Sequence, residues 1–93
     1  MVRCYVNGEL IEKIRFPITK VGESSSVVMT VENDTVADNI ELIPYTEDRE
    51  VTITEYPRKL GVNEKGKVVW KFSPSKERNR SLDCEFGFKE LIG

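Results

Sequence analysis

The chain reads as short runs of alternating apolar and polar residues, each cut off by Gly, Pro, Asn or Asp. Alternation puts every second side chain on one face of a strand, so each run predicts a half-buried β-strand. Val27, Met29 and Val31 alternate with Val28, Thr30 and Glu32 until Asn33-Asp34-Thr35 turns the chain. Residues 39–43 place Ile40 and Leu42 on one face, with Pro44 ending the strand. Residues 51–56 alternate up to Pro57. Val68, Trp70 and Phe72 share the inward face of residues 67–73, closed by Pro74. Leu82, Cys84, Phe86 and Phe88 alternate with Asp83, Glu85 and Gly87 in one last strand. At the front, Cys4-Tyr5-Val6, Asn7-Gly8 and Glu9-Leu10-Ile11 predict a tight hairpin, because Asn-Gly accepts the positive φ angles of a type I′ turn. Its second arm is expected to continue to Phe16, with Leu10, Ile14 and Phe16 on one face. Residues 20–26, 46–50, 63–66 and 75–80 are polar and predict loops. No long window has helical spacing free of Pro or Gly. The expectation is an all-β, antiparallel two-sheet sandwich with a core about 10 Å thick.

Composition strengthens that reading. Val, Ile and Thr together number 24, against one Ala and five Leu. β-branched side chains lose rotamer freedom in helices and pack well on a pleated surface. The 93 residues make one domain, 1–93, with no room for a second core. Charge is nearly balanced, 14 basic against 16 acidic residues, which argues against a nucleic-acid partner. No apolar run is long enough for a membrane span. The first residues carry one Arg but no apolar signal core, so the chain is expected to be made and kept in the cytoplasm, or assembled from there. Cys4 and Cys84 are expected as small buried apolar residues, with a disulfide between terminal strands left open. Two sequons, Asn33-Asp34-Thr35 and Asn79-Arg80-Ser81, are expected in exposed loops.

The run from Phe16 through Val21-Gly22-Glu23-Ser24-Ser25, then Val27 to Val31, then Asn33, resembles the opening of the ASH domain of abnormal-spindle and hydin proteins. The stretch Gly66-Lys67-Val68-Val69-Trp70-Lys71-Phe72-Ser73-Pro74 is similar to the same family's Gly…Val-x-Phe-x-Pro signature. This resemblance covers about residues 14–90 and implies an immunoglobulin-like sandwich related to the major sperm protein and PapD-type folds. About seven strands with an extra N-terminal hairpin are then expected. That hairpin precedes the family's usual first strand, and the usual Gly-rich closing turn is missing.

Catalytic chemistry has little to stand on. Without histidine there is no Ser-His-Asp or Cys-His arrangement, and two cysteines cannot make a four-thiolate site. No phosphate-cradling Gly motif occurs. Glu47, Asp48 and Glu50 cluster in one loop and read as a solvated turn rather than an acid–base pair. Glu32, Asp34 and Asp38 lack the spacing of a calcium loop. No catalytic residue, metal or cofactor is therefore expected. Trp70 shares its face with Val68 and Phe72 and reads as core. The candidate partner-binding residues are Tyr45 and Tyr56 at strand ends, where aromatic anchors suit an interface. Lys76, Arg78 and Arg80 join them as a basic loop that could face an acidic partner surface. The hairpin, with Tyr5 and Ile11 outward, is a second candidate for capping an edge or joining a neighbour's sheet. The expected function is a non-enzymatic structural module, a phage virion protein that decorates a capsid or serves a tail and binds a protein lattice or itself. The alternatives are a cytoplasmic adaptor that takes a peptide by strand addition, or a domain excised from a longer chain.

Overall fold

The computed structural model describes residues 2–35 and 38–92, and among these it is all β with no helix. The strands are β1 (Val2–Val6), β2 (Glu9–Leu10), β3 (Lys13–Phe16), β4 (Ser25–Asn33), β5 (Ile40–Tyr45), β6 (Val51–Glu55), β7 (Lys59–Leu60), β8 (Lys65–Phe72), β9 (Leu82–Glu85) and β10 (Gly87–Ile92). Every pairing is antiparallel. A five-stranded sheet runs β2-β1-β4-β8-β6, a three-stranded sheet runs β10-β5-β7, and β3 pairs with β9.

β4 and β8 form the spine, paired over eight residues from Ser25↔Phe72 to Glu32↔Lys65. The register sets Val27 against Trp70 and Met29 against Val68, so the predicted inward faces meet on one side. Val68, Trp70 and Phe72 are all buried, as the alternation requires. The other strands close over them. The Phe16 ring of β3 lies 5.5 Å from Phe72, and Trp70 has Phe86 at 5.6 Å and Phe88 at 6.2 Å. Each fully buried large apolar side chain contributes about 1.5–3 kcal/mol, so these rings carry much of the sandwich-like packing.

The front hairpin forms as expected. Tyr5 pairs with Leu10 and Val6 with Glu9, while Asn7 and Gly8 take φ of 52° and 79°. Its second arm does not continue to Phe16. The Ile11 N–H donates to the Cys4 carbonyl at 2.9 Å, after which the chain crosses to the opposite layer. Leu10 is therefore exposed on one sheet, whereas Ile14 and Phe16 are buried on the other. The last predicted strand likewise divides at Phe86: β9 pairs with β3 and β10 with β5. These two divisions and the short β7 turn the seven expected strands into ten segments.

Pro44 does not end its strand; it is buried and paired with Phe88 inside β5. The Leu42 N–H donates to the Arg58 carbonyl at 3.0 Å, so even-numbered residues of β5 turn their backbone groups towards β7. Pro44 lies on that side, past the end of β7, where a missing donor breaks no ladder bond.

Asn33 also departs from expectation. It is buried at the end of β4, not exposed in a loop. Its side-chain N–H groups donate to the carbonyls of Asp38, Leu60 and Gly61 at 2.9, 3.2 and 3.0 Å. Its Oδ1 accepts from the Thr35 N–H at 3.1 Å and the Thr35 hydroxyl at 2.6 Å. One amide thus knits three connections that would otherwise leave buried carbonyls unpaired.

Candidate interaction surfaces

Tyr45 is the outward residue at the end of β5, directly opposite Gly87 of β10. A Cβ added at Gly87 would fall 2.5 Å from the Tyr45 ring, so only glycine lets that ring lie flat across the neighbouring strand. The ring is thereby oriented and still 50% exposed. Ile43 (45% exposed) and Leu91 (51%) follow on the same outward face, diagonal to one another across β5 and β10. Lys89 stands opposite Ile43, and Glu41, opposite Leu91, pairs with Lys59 at 3.7 Å. The three-stranded sheet thus presents a small apolar face bordered by charge.

Tyr56 does not join Tyr45. It lines a separate groove with Glu41, Leu42, Ile43, Arg58 and Lys59, so Ile43 is what the two aromatic neighbourhoods share. Tyr45 instead borders a cleft with Thr46, Asp48, Asp83, Cys84 and Phe86. Arg78, Arg80 and Asp83 line the cleft beside it. Asp83 belongs to both clefts, so Tyr45 and the basic loop lie at one end of the molecule.

The basic loop divides by role. Arg78 donates to Glu50 at 2.7 Å, and its guanidinium sits 5.4 Å above the ring of buried Phe72. The other Glu50 oxygen accepts the Ser75 N–H, and the Ser73 N–H donates to the Glu50 carbonyl at 2.9 Å. Arg78 is therefore a clamp that fastens the loop over the core, rather than a spare cation. Lys76 and Arg80 are exposed. The charge pattern alone could not separate these three residues, because the partner of Arg78 is 28 residues away in sequence.

The clustered carboxylates have local tasks. Bonds from Ser75 and Arg78 hold the Glu50 carboxyl down at about 2, the opposite of what a proton donor near neutrality needs. Asp48 accepts the Glu50 N–H at 2.9 Å and shapes the turn. Arg15 holds Asp83 below the usual carboxylate range at 2.9 Å. Glu32 faces Lys65 at 4.0 Å and Asp34 faces Arg3 at 3.3 Å, so these acids do not converge. Among the described residues no group of three metal-ligating side chains comes together.

Both cysteines are free and buried, Cys4 in β1 and Cys84 in β9, which closes the disulfide option. Burial pushes the Cys4 thiol up to about 11, and it raises that of Cys84 as well. Such thiols are poor nucleophiles near neutral pH. The Trp70 indole N–H is buried with no hydrogen-bond acceptor among the described residues, packed instead beside the rings of Phe86 and Phe88.

The candidate that sequence reasoning missed is β10. Its six residues form one edge of the three-stranded sheet, and Leu91 and Ile92 are exposed on it. The hairpin edge favoured by the sequence offers only the two residues of β2, and Ile11 packs against the core. No family model, curated protein or solved structure matches this chain.

Proposed function

We propose that this domain is a non-enzymatic interaction module with an immunoglobulin-like sandwich, docking on a protein surface through the outward face of β5 and β10. The observation that carries this reading is the half-exposed row of Ile43, Tyr45 and Leu91, with Tyr45 held in place over Gly87. An aromatic ring that is already oriented loses little entropy on binding, which suits an anchor. Lys76 and Arg80 lie towards the Tyr45 end and supply a basic rim. Their role is to steer an acidic partner surface, and it weakens with salt.

The partner in this reading is a subunit of an assembled shell or tail in a virion, or a second copy of the chain. The virion setting rests on the sequence argument alone. Tagged protein incubated with lysate from infected source cells, read by mass spectrometry, tests it. Near-stoichiometric recovery of one shell or tail protein, lost with Tyr45→Ala, is the expected result. A protein that neither self-associates nor retains any shell or tube protein removes the reading. An adaptor that captures a peptide is the second reading, favoured by the six-residue length of the edge strand β10.

A further inference from the structure

β5 outlasts its neighbour on one side. β7 pairs only with Ile40 and Glu41, whereas β5 runs on to Tyr45. Tyr56, Pro57 and Arg58, which join β6 to β7, belong to neither strand. Beside β5 this leaves a groove of about 750 Å³, lined by Glu41, Leu42, Ile43, Tyr56, Arg58 and Lys59. On the other side of β5, Lys89 of β10 stands directly opposite Ile43. Ile43 is 45% exposed, so an apolar side chain open to solvent has a cation-lined groove on one flank and Lys89 on the other.

The charges around Ile43 do not cancel. Lys59 is matched by Glu41 at 3.7 Å. Arg58 and Lys89 are exposed and enter no ion pair among the described residues. The outer face of the five-stranded sheet differs, because Lys65 has Glu32 at 4.0 Å and Lys67 has Glu55 at 3.2 Å. A chain of net charge −2 thus keeps two uncompensated cations around one exposed apolar side chain.

We infer that this face takes an acidic segment of another protein, laid across β5 with an apolar side chain on Ile43 and one carboxylate each for Arg58 and Lys89. This rests on the docking reading above and names the partner's chemistry. Neighbouring strands lie about 5 Å apart, so the two flanks of β5 are separated by about 10 Å. In an extended segment residues i, i+2 and i+4 share a face and span about 13 Å, within reach of long Lys and Arg side chains. The pattern is therefore acidic, any, apolar, any, acidic, in either chain direction. A second copy is the poorer occupant. A two-fold contact sets one patch against itself and brings Arg58 and Lys89 against the same cations. A nucleic acid is poorer as well, since Glu41 lies in the groove and repels phosphate.

The probe is the acetylated, amidated peptide Thr-Asp-Thr-Leu-Thr-Asp-Thr, with an isosteric control carrying Asn for both Asp. NMR titration of the intact chain should shift Ile43, Tyr56, Lys89 and Leu91. The Asp peptide should bind about three- to tenfold tighter than the Asn control. That preference should vanish in about 1 M salt. It should vanish too in the double variant Arg58→Glu, Lys89→Glu, whose substitutions are both at exposed positions. Equal shifts with the two peptides overturn the acidic chemistry and leave docking on this face standing. No shift at this face with millimolar peptide overturns the segment. The docking reading then stands or falls separately, on capture of a shell or tail protein and its loss with Tyr45→Ala. Tighter binding of an oligothymidylate than of the Asp peptide would make a nucleic acid the occupant and overturn the choice of a protein segment. Concentration-dependent shifts at these residues without peptide would make a second copy the occupant and overturn it equally.

Discussion

The two sides of the molecule treat their strand ends differently. On the β6–β7 side, backbone is closed off. A bulge interrupts β6, Pro57 follows it, β7 is only two residues long, and Pro44 turns its missing donor outward. On the β10 side, a strand of six residues pairs with β5 along its whole length and forms the edge of its sheet. Unprotected edges invite pairing, and proteins usually blunt them. Blunted ends at β6 and β7, set against a six-residue edge strand at β10, distinguish where stability is built from where contact is available.

The sharpest way to break this contrast is at Asn33, which fastens β7 and the 38–39 connection to β4. Asn33→Ala strands the carbonyls of Asp38, Leu60 and Gly61 together with the Thr35 donors, and should cost about 3 kcal/mol. Denaturant unfolding measures that loss, and exchange at Leu42, which donates to Arg58, should rise first. A change under about 1 kcal/mol would mean that water replaces the amide and that the closed side is held by packing alone.

A smaller effect is expected at Gly66. A Cβ there would meet Pro57 at 2.6 Å and Leu60 at 3.1 Å, so Gly66→Ala should cost about 1–3 kcal/mol by displacing the proline that caps β6. Thermal unfolding reads it directly. Gly87→Ala sharpens the comparison on the β10 side, because it displaces only the half-exposed Tyr45 ring.

The smallest effect concerns the clamp between the two sides. The folded chain depresses the Glu50 carboxyl to about 2 from its ordinary 4.5. Its contribution is therefore complete above about pH 4.5 and is lost as pH falls towards 2. Arg78→Ala should cost about 1 kcal/mol near neutrality. It should also flatten the acid limb, with Ser75 amide exchange as the reporter. An acid limb unchanged in Arg78→Ala and Glu50→Gln would assign it to another carboxylate, Asp83 with Arg15 being the next in line.

Much of this architecture was legible as alternation. Val68, Trp70 and Phe72 face inward because period two is a local property of a strand, and no distant residue is needed to read it. The Asn7-Gly8 turn was legible for the same reason, since its dihedral demand is met within two residues. Pro44 is not legible this way, because its effect depends on which side its absent N–H faces, and the pairing of β5 with β7 and β10 sets that. The separation of Leu10 from Phe16 is equally hidden, because alternation says nothing about a chain changing sheets. Asn33 looked like a turn residue, and only its carbonyl partners, 5, 27 and 28 positions away, make it a buried hub.

The order of residues is enough to establish that this protein is all β, which faces of β4, β5 and β8 turn inward, and where its tightest turn lies. Those follow from side-chain shape and spacing, which act within a few residues. Only strand packing makes Arg78 a clamp, lays Tyr45 on Gly87, and sets β10 at the edge of its sheet. Each of these depends on what another strand brings alongside, and strand pairing is non-local: it is settled by register and layer order across the whole chain.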